Sequence, residues 1–407
     1  MPNITKLKHR FPLKLIPSWP FFVLSLITIT IAYLNYQPNT LLTGWDNLHP
    51  EYNFDLALKQ AFYSVWQQKS LGFLSGMAPA ADLVRITFLA LLHGIGMDVS
   101  VLRYLYVFTC LWLGPINAYL LIKHLLKQRF DKRTIDTASF LGGLFYLLNL
   151  ATIQYFFTPF ESFVTFFAFL PILILSLIGY IEKPSSKNLF ILLVFSTLSS
   201  PAYYVQTMFV VLLLSLTPFI VDSLRSKKTR KSHSISSIIG LTIILVSQAY
   251  WLLPQVFFVF TQAKNVQLSH ANLLSSPETY ERNLQFSNIK DISQLKSFWL
   301  EILDPDTSGK FNYLFYVWRT HLASPTIQAI GYALFALVVI GLIYSLKKKI
   351  PTSHSVLGTS IVSLFFLLGG GVLINNKIPL IGELFRSPFT KFSIVLSLGF
   401  SYFFSVA

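Results

Sequence analysis

Asp46, His49 and Glu51 have the residue types and spacing to do chemistry. They sit in Gly44-Trp45-Asp46-Asn47-Leu48-His49-Pro50-Glu51, just beyond the first apolar run. A carboxylate held at a membrane surface, under a low-dielectric roof, can act as a general base. It can also hold a divalent cation through its oxygens. His49 can serve as a second base, a ligand or a contact to substrate. The competing reading is a polar, turn-forming exit from a membrane helix, with Trp45 as an interface anchor. A second group lies in Phe385-Arg386-Ser387-Pro388-Phe389-Thr390-Lys391-Phe392. Arg386 offers a planar fork and Lys391 a point charge, and such a pair could hold a lipid phosphate at headgroup level. Snorkelling of both cations to headgroups is the alternative.

Weaker candidates follow. Glu161 comes after Thr158-Pro159-Phe160 at the outer end of an apolar run, where an acid is tolerated at low cost. Asp82 and Arg85, three apart, read as a local ion pair worth a few tenths of a kcal/mol. Tyr203, Tyr204 and Gln206 follow a break at Pro201 and could line a sugar site; aromatic packing is the alternative. Asp304 and Asp306 flank Pro305 and read as a turn. No P-loop, zinc motif or nucleophile elbow occurs, which argues against an ATP-driven pump. Gly369-Gly370-Gly371, inside an apolar run, suggests close helix packing or a hinge.

The elements that must position these residues are membrane helices. Of 407 residues, 53% are apolar and 12% charged, with a mean hydropathy of +0.58. A soluble domain carries roughly 25% charged residues. A soluble globule, a disordered chain and a coiled coil are therefore excluded. The net charge of +15 is not a nucleic-acid signal, because it is partitioned. Segments 1–16, 123–137, 182–187, 222–234 and 346–351 hold 19 basic and 4 acidic residues. The alternate segments hold 13 of each. All of the excess thus lies on one side of a membrane, which orients the chain with its N-terminus in the cytoplasm. The only cysteine, Cys110, sits in an apolar run and reads as a small buried group.

A membrane helix needs about 20 mostly apolar residues. Trp19–Tyr36 reads as a retained signal anchor. Residues 37–100 form an external loop with an interfacial helix around Phe54, Leu58, Phe62 and Val65, and a second short helix over Asp82–Leu92. Spans are expected at 101–122, 138–156 and 161–181. In 188–221, one span would place later basic clusters outside, so two short helices meeting near Pro201 are expected. A broken pair of this kind lines a cavity. Spans at 236–260, 325–345, 353–374 and 392–407 complete about ten, with both ends inside and a large external loop at 261–323. The last run stops with the chain after sixteen residues and no closing basic cluster, and reads as truncated, with a further C-terminal part missing.

This layout resembles the membrane-embedded C-type (GT-C) glycosyltransferases. It is most similar to the N-terminal membrane region of alpha-(1->3)-arabinofuranosyltransferase-like proteins. TGWDNLHPEYNF at 43–54, SGMAPAADLVR at 75–85 and FRSPFTKF at 385–392 carry the resemblance. It implies one all-α transmembrane domain over residues 1–407. It implies a polyprenyl-phosphate sugar donor used on the outer face of the cytoplasmic membrane, with a glycan or glycolipid acceptor. Asp46 would be the catalytic base and Glu51 the second candidate, with Arg386 and Lys391 on the lipid phosphate and inversion at the sugar. His49, Tyr203 and Tyr204 are the expected further substrate contacts. A flippase or transporter of lipid-linked glycans and a non-catalytic scaffold are the other readings.

Overall fold

The chain's computed structural model describes residues 18–44, 48–63, 77–127, 129–225, 229–267, 277–305, 308–369, 385 and 387–407. Helix starts follow the local chemistry. Pro20 occupies the first turn of α1 (Trp19–Asn35), where its missing N–H is harmless. Asn53 caps α2 (Phe54–Phe62) by accepting from the Leu56 amide, and a 3-10 turn at Pro79–Asp82 leads into α3 (Leu83–Gly94). Asp98 caps α4 (Val99–Leu126), and Asp131 caps α5 (Lys132–Leu148).

Three apolar stretches are broken, two of them by side chains that take over backbone bonds and one by a 3-10 turn at a proline. Asn149 accepts from the Thr152 amide and donates to the Tyr146 carbonyl, so α5 ends and α6 (Leu150–Phe157) leaves at 45°. After α7 (Glu161–Glu182), a 3-10 turn at Ser200–Tyr204 separates α8 (Ser186–Leu198) from α9 (Thr207–Ser223). This is the expected break at Pro201. Gln248 separates α10 (Arg230–Ser247) from α11 (Ala249–Gln267) at an 80° bend. Its side chain donates to the Ser196 carbonyl and accepts from the Trp251 indole at 2.6 Å. Beyond these lie α12 (Pro277–Gln285), α13 (Ile289–Ser293) and an antiparallel hairpin of β1 (Leu303–Pro305) and β2 (Phe311–Tyr313), with Asp304 opposite Asn312. The chain closes with α14 (Tyr316–Ala323), α15 (Pro325–Lys347), α16 (Ser353–Leu367) and α17 (Phe389–Val406).

Among the described residues, α4, α7, α15 and α17 are long and apolar enough to cross a membrane, and the two bent pairs raise the number to six. That is compatible with a multi-pass membrane protein, but the length test gives four to six spans where the sequence suggested ten. The difference lies in α1, α8, α9 and α16, which are apolar but only 13 to 17 residues long. At 1.5 Å per residue they reach about 20–26 Å, short of a hydrocarbon core of about 30 Å.

Helices α7 and α17 form the interior, each with 89% of its apolar window buried, against 17% for α15. Apolar side chains have no water to escape inside a bilayer, so close packing must hold such helices together. Small residues provide it. Ser393, Ser397, Ser401 and Ser405 recur every fourth residue along α17, and all are buried. Gly341 brings α15 against the Phe403 carbonyl, where a Cβ has no room.

The two ends of the bundle differ in chemistry. At one end the basic segments meet each other: Lys127 pairs with Glu182 at 3.1 Å, Arg129 donates to the Lys349 carbonyl at 3.2 Å, and Ser355 donates to Asp222 at 3.1 Å. At the other end the alternate segments meet: the Ala78 amide donates to the Tyr204 carbonyl, Gln154 to the Leu295 carbonyl and Tyr155 to the Phe389 carbonyl. The 22 residues of α7 hold these ends about 33 Å apart. Among the described residues, the basic segments after residue 122 thus gather at one end.

Replacing Gly341 by leucine should destabilise the bundle by about 1–3 kcal/mol through overpacking. Thermal unfolding in detergent checks this, with Ile340→Leu on the exposed face of the same helix expected to melt like the parent.

Candidate functional site

Each side chain of the site starts from a local rule. Glu161 is the first residue of α7, where a carboxylate is favoured by the helix dipole. Asp82 stands before α3 in N-cap position yet caps no amide. Its carboxylate is taken by Arg85, whose Nε and Nη2 donate to Asp82 Oδ1 and Oδ2 at 2.8 and 2.6 Å. Arg103 lies in the second turn of α4. All four side chains are buried, with Arg85, Arg103 and Glu161 each 1% exposed.

They converge on one stretch of the first loop. Arg103 Nε donates to the Leu42 carbonyl at 2.8 Å. The Leu48 amide donates to Glu161 Oε1 and Oε2 at 3.2 and 3.3 Å. The Leu48 carbonyl accepts from both Arg85 Nη atoms and from Arg103 Nη1, each at 3.4 Å. Arg103 Nη1 is ion-paired with Glu161, and Arg85 Nη1 approaches the same carboxylate at 3.5 Å. Below, Arg85 lies 5.4 Å from the Tyr106 ring centre, and the Tyr106 hydroxyl bonds Thr165. The chain is gripped on both flanks of residues 43–47. Asp46 itself, with Trp45 and Asn47, lies outside the described residues, and so does Arg386.

Glu51 completes the cluster. It is 5% exposed, 4.0 Å from Arg85 Nη1 and 3.9 Å from His49 Nδ1. Neither of its oxygens has a hydrogen-bond partner among the described residues, and the same holds for Arg103 Nη2. The cluster therefore joins three carboxylates to two guanidiniums and keeps an acceptor and a donor in reserve. Burial alone would weaken the charge on Arg85, but Asp82 and then Glu51 more than reverse this, and the guanidinium is held above its ordinary range. His49 goes the other way. Burial, then the positive charges of Arg103 and Arg85, lower it to about 4, so it is neutral at neutral pH. A neutral imidazole beside a buried carboxylate can exchange hydrogen bonds with a hydroxyl-bearing substrate.

The remaining expected site residues are placed as follows. Tyr204 is half-buried, and its carbonyl accepts from the Ala78 amide just before the turn that carries Asp82. Tyr203 is fully buried, stacked on Trp251 at 5.8 Å and bonded to Ser199, so its ring faces the helix core. Lys391 is 7% exposed in the first turn of α17, within reach of the Ser387 carbonyl and the Thr390 hydroxyl. It is not extended to the surface as a snorkelling side chain would be. Asp304 lies in the hairpin strand, and Asp306 is outside the described residues. Among the described residues, no group of three or more His, Cys, Asp or Glu side chains is placed to hold a metal ion.

The sequence does not single out Arg103, and it marks Asp82–Arg85 only as a local ion pair, which forms but is buried in the larger cluster. The available signal was a lone arginine just inside an apolar run, a position that calls for a partner. The partner, Glu161, lies 58 residues away, and no local pattern joins the two.

No family model matches the chain, and neither a curated protein nor a solved structure matches it.

Removing one member of a buried pair strands the other charge. Glu161→Gln and Arg103→Met should each cost about 3–5 kcal/mol, whereas Arg103→Met with Glu161→Met should cost less than either. Equilibrium unfolding in mixed micelles measures all three. His49 gives a pH signature. Its folded value lies below its ordinary 6.5, so the unfolded chain binds more protons between about 4 and 6.5. Its contribution is complete above 6.5 and is lost as pH falls toward 4. The melting temperature of His49→Gln should therefore fall less between pH 7 and pH 4.5 than that of the parent.

Proposed function

We propose that the chain is a membrane-embedded glycosyltransferase that moves a sugar from a polyprenyl-phosphate donor to a glycan or glycolipid acceptor. In this reading the bundle crosses the cytoplasmic membrane about ten times in a GT-C-like arrangement, with the short apolar helices entering as broken or tilted spans. The basic end faces the cytoplasm, as the positive-inside rule requires. The cluster end faces outward and carries the active site.

The observation that supports this most is the double grip on the first loop. Residues 43–47 are anchored through Leu42 and Leu48 to a buried ionic cluster built from α3, α4 and α7. A catalytic group must be held within a fraction of an ångström of its working position, and buried, hydrogen-bonded anchors do this. Asp46 is the proposed base. It takes the proton of the acceptor hydroxyl as that oxygen forms a bond to the anomeric carbon. The bond from that carbon to the phosphate oxygen breaks, and its electron pair leaves with the polyprenyl phosphate. The carbon inverts. Arg386 and Lys391 receive the phosphate charge. Glu51 is the second candidate base, with His49 and Tyr204 as contacts to sugar hydroxyls. No nucleotide is needed, because the phosphate on the donor is already a leaving group.

The transporter reading has less support. Helices α4, α7, α15 and α17 carry Asp, Glu, Lys, Arg or His only near their ends. Ion-coupled carriers place such groups near the bilayer midplane.

Purified chain in nanodiscs, supplied with a panel of radiolabelled polyprenyl-phosphate sugars, tests the proposal. Transfer should fall by about 100- to 10,000-fold in Asp46→Asn while the protein still melts cooperatively. Wild-type turnover in that variant would remove Asp46 from the mechanism. No transfer by the folded parent from any donor would leave the scaffold reading.

A further inference from the structure

One recess lies outside the candidate site. It has a volume of about 370 Å³ and opens between α5 with α6 on one side and α15 on the other, with Phe400 and Phe404 of α17 behind it. Its walls are apolar: Leu141, Leu144 and Leu148 from α5, and Ile330, Leu334 and Phe335 from α15. Leu148 and Ile330 are 53% and 51% exposed, so the recess is open along its side. The polar lining gathers at one end, where Ser293, Gln294 and His321 stand with Trp318. That end is the end of the bundle that carries the ionic cluster, because Gln154 ties the Leu295 carbonyl to α6 there.

Gln294 sets the chemistry of the mouth. It lies on Gly331, where an added Cβ would sit 3.2 Å from the amide carbon. Its Nε2 is buried and has no hydrogen-bond partner among the described residues. An amide donor left unmet in apolar surroundings is unfavourable, so the mouth is built to receive an acceptor oxygen. The depth is equally telling. From Leu141 to Asn149 on one wall, and from Ile327 to Phe335 on the other, eight helical steps span about 12 Å. One leaflet of the hydrocarbon core is about 15 Å thick.

We propose that this recess seats one acyl chain of a phospholipid from the leaflet at the cluster end, with the Gln294 amide donating to a phosphate or ester oxygen of its headgroup. Three features select this occupant together: an apolar slot open along its side, a depth of most of one leaflet, and at the headgroup end a buried donor, Gln294 Nε2, with no partner among the described residues. Along the walls a sugar or a nucleotide would meet apolar side chains and Asn149, whose amide already serves the Phe145 and Tyr146 carbonyls and the Thr152 amide. The inference rests on the multi-pass reading and not on sugar transfer, so failure of either leaves the other standing.

The full chain is reconstituted in nanodiscs of phosphatidylethanolamine and phosphatidylglycerol, moved into mild detergent, and its retained lipid counted by native mass spectrometry. Phospholipid brominated along the acyl chain supplies the location. It should quench the parent and spare Trp318→Phe in the difference signal. One retained phospholipid per chain is expected. Gln294→Leu should weaken retention about fivefold, the value of one lost hydrogen bond. Leu334→Trp, which fills the slot, should abolish it, and Leu144→Trp serves the same purpose if that variant does not fold. Retention unchanged in the filled variants, no retained phospholipid, or displacement by polyprenyl phosphate in preference to phospholipid would each overturn the proposal. A dimeric mass, with a second copy covering the slot, would do so as well.

Discussion

The peptide unit of Leu48 is the point on which the rest of the site depends. Its N–H is taken by Glu161 and its carbonyl by Arg85 and Arg103, all buried. Charges in a low-dielectric interior must be paired, and a pair with spare lone pairs and protons must also find hydrogen-bond partners. Here the backbone of the first loop supplies them. Helices α3, α4 and α7 therefore share their buried charges with the loop, and the loop is tied to all three. Fold and site are one constraint at this end of the bundle.

The opposite end obeys the same logic with weaker partners. Lys127 and Glu182, both partly exposed, meet the buried His124, and Arg225 pairs with Asp222. Such exposed pairs contribute little individually. They keep the basic segments together at one face, while the bundle between the two ends is held by the small residues of α17 and by Gly341. The division of labour is physical: a dry, tightly paired cluster where position matters, and a solvated basic face where only the sign of charge matters. A rigid mount for the first loop is what general-base chemistry at its tip would require.

Much of the backbone was legible. The break near Pro201, the short helix after Pro79, the start of α7 at Glu161 and the apolar helix α1 all follow from proline positions, caps and the length of apolar runs. The bends at Asn149 and Gln248 were not, because each depends on one side chain finding backbone partners, and an apolar run containing a single Asn or Gln looks continuous. The site was half legible. Its acids and His49 could be singled out from type and spacing. The placement of Tyr203 and Lys391 could not, since a tyrosine turned into the core and a lysine folded onto its own helix start have the same local sequence as exposed ones.

The sequence by itself determined the apolar character of this protein, the spacing of its polar segments along the chain and the distribution of charge among them. These depend on composition and on near neighbours, which a linear pattern records. Only the tertiary structure decided that Arg103 finds Glu161, that Asp82 serves Arg85 in place of its own helix, and that Glu51 is buried with its oxygens free of hydrogen bonds among the described residues. Those facts depend on which distant helix ends are brought within a few ångströms, and so on the packing of the whole bundle. Burial then turns ordinary charged residues into a cluster whose members are meaningful only together.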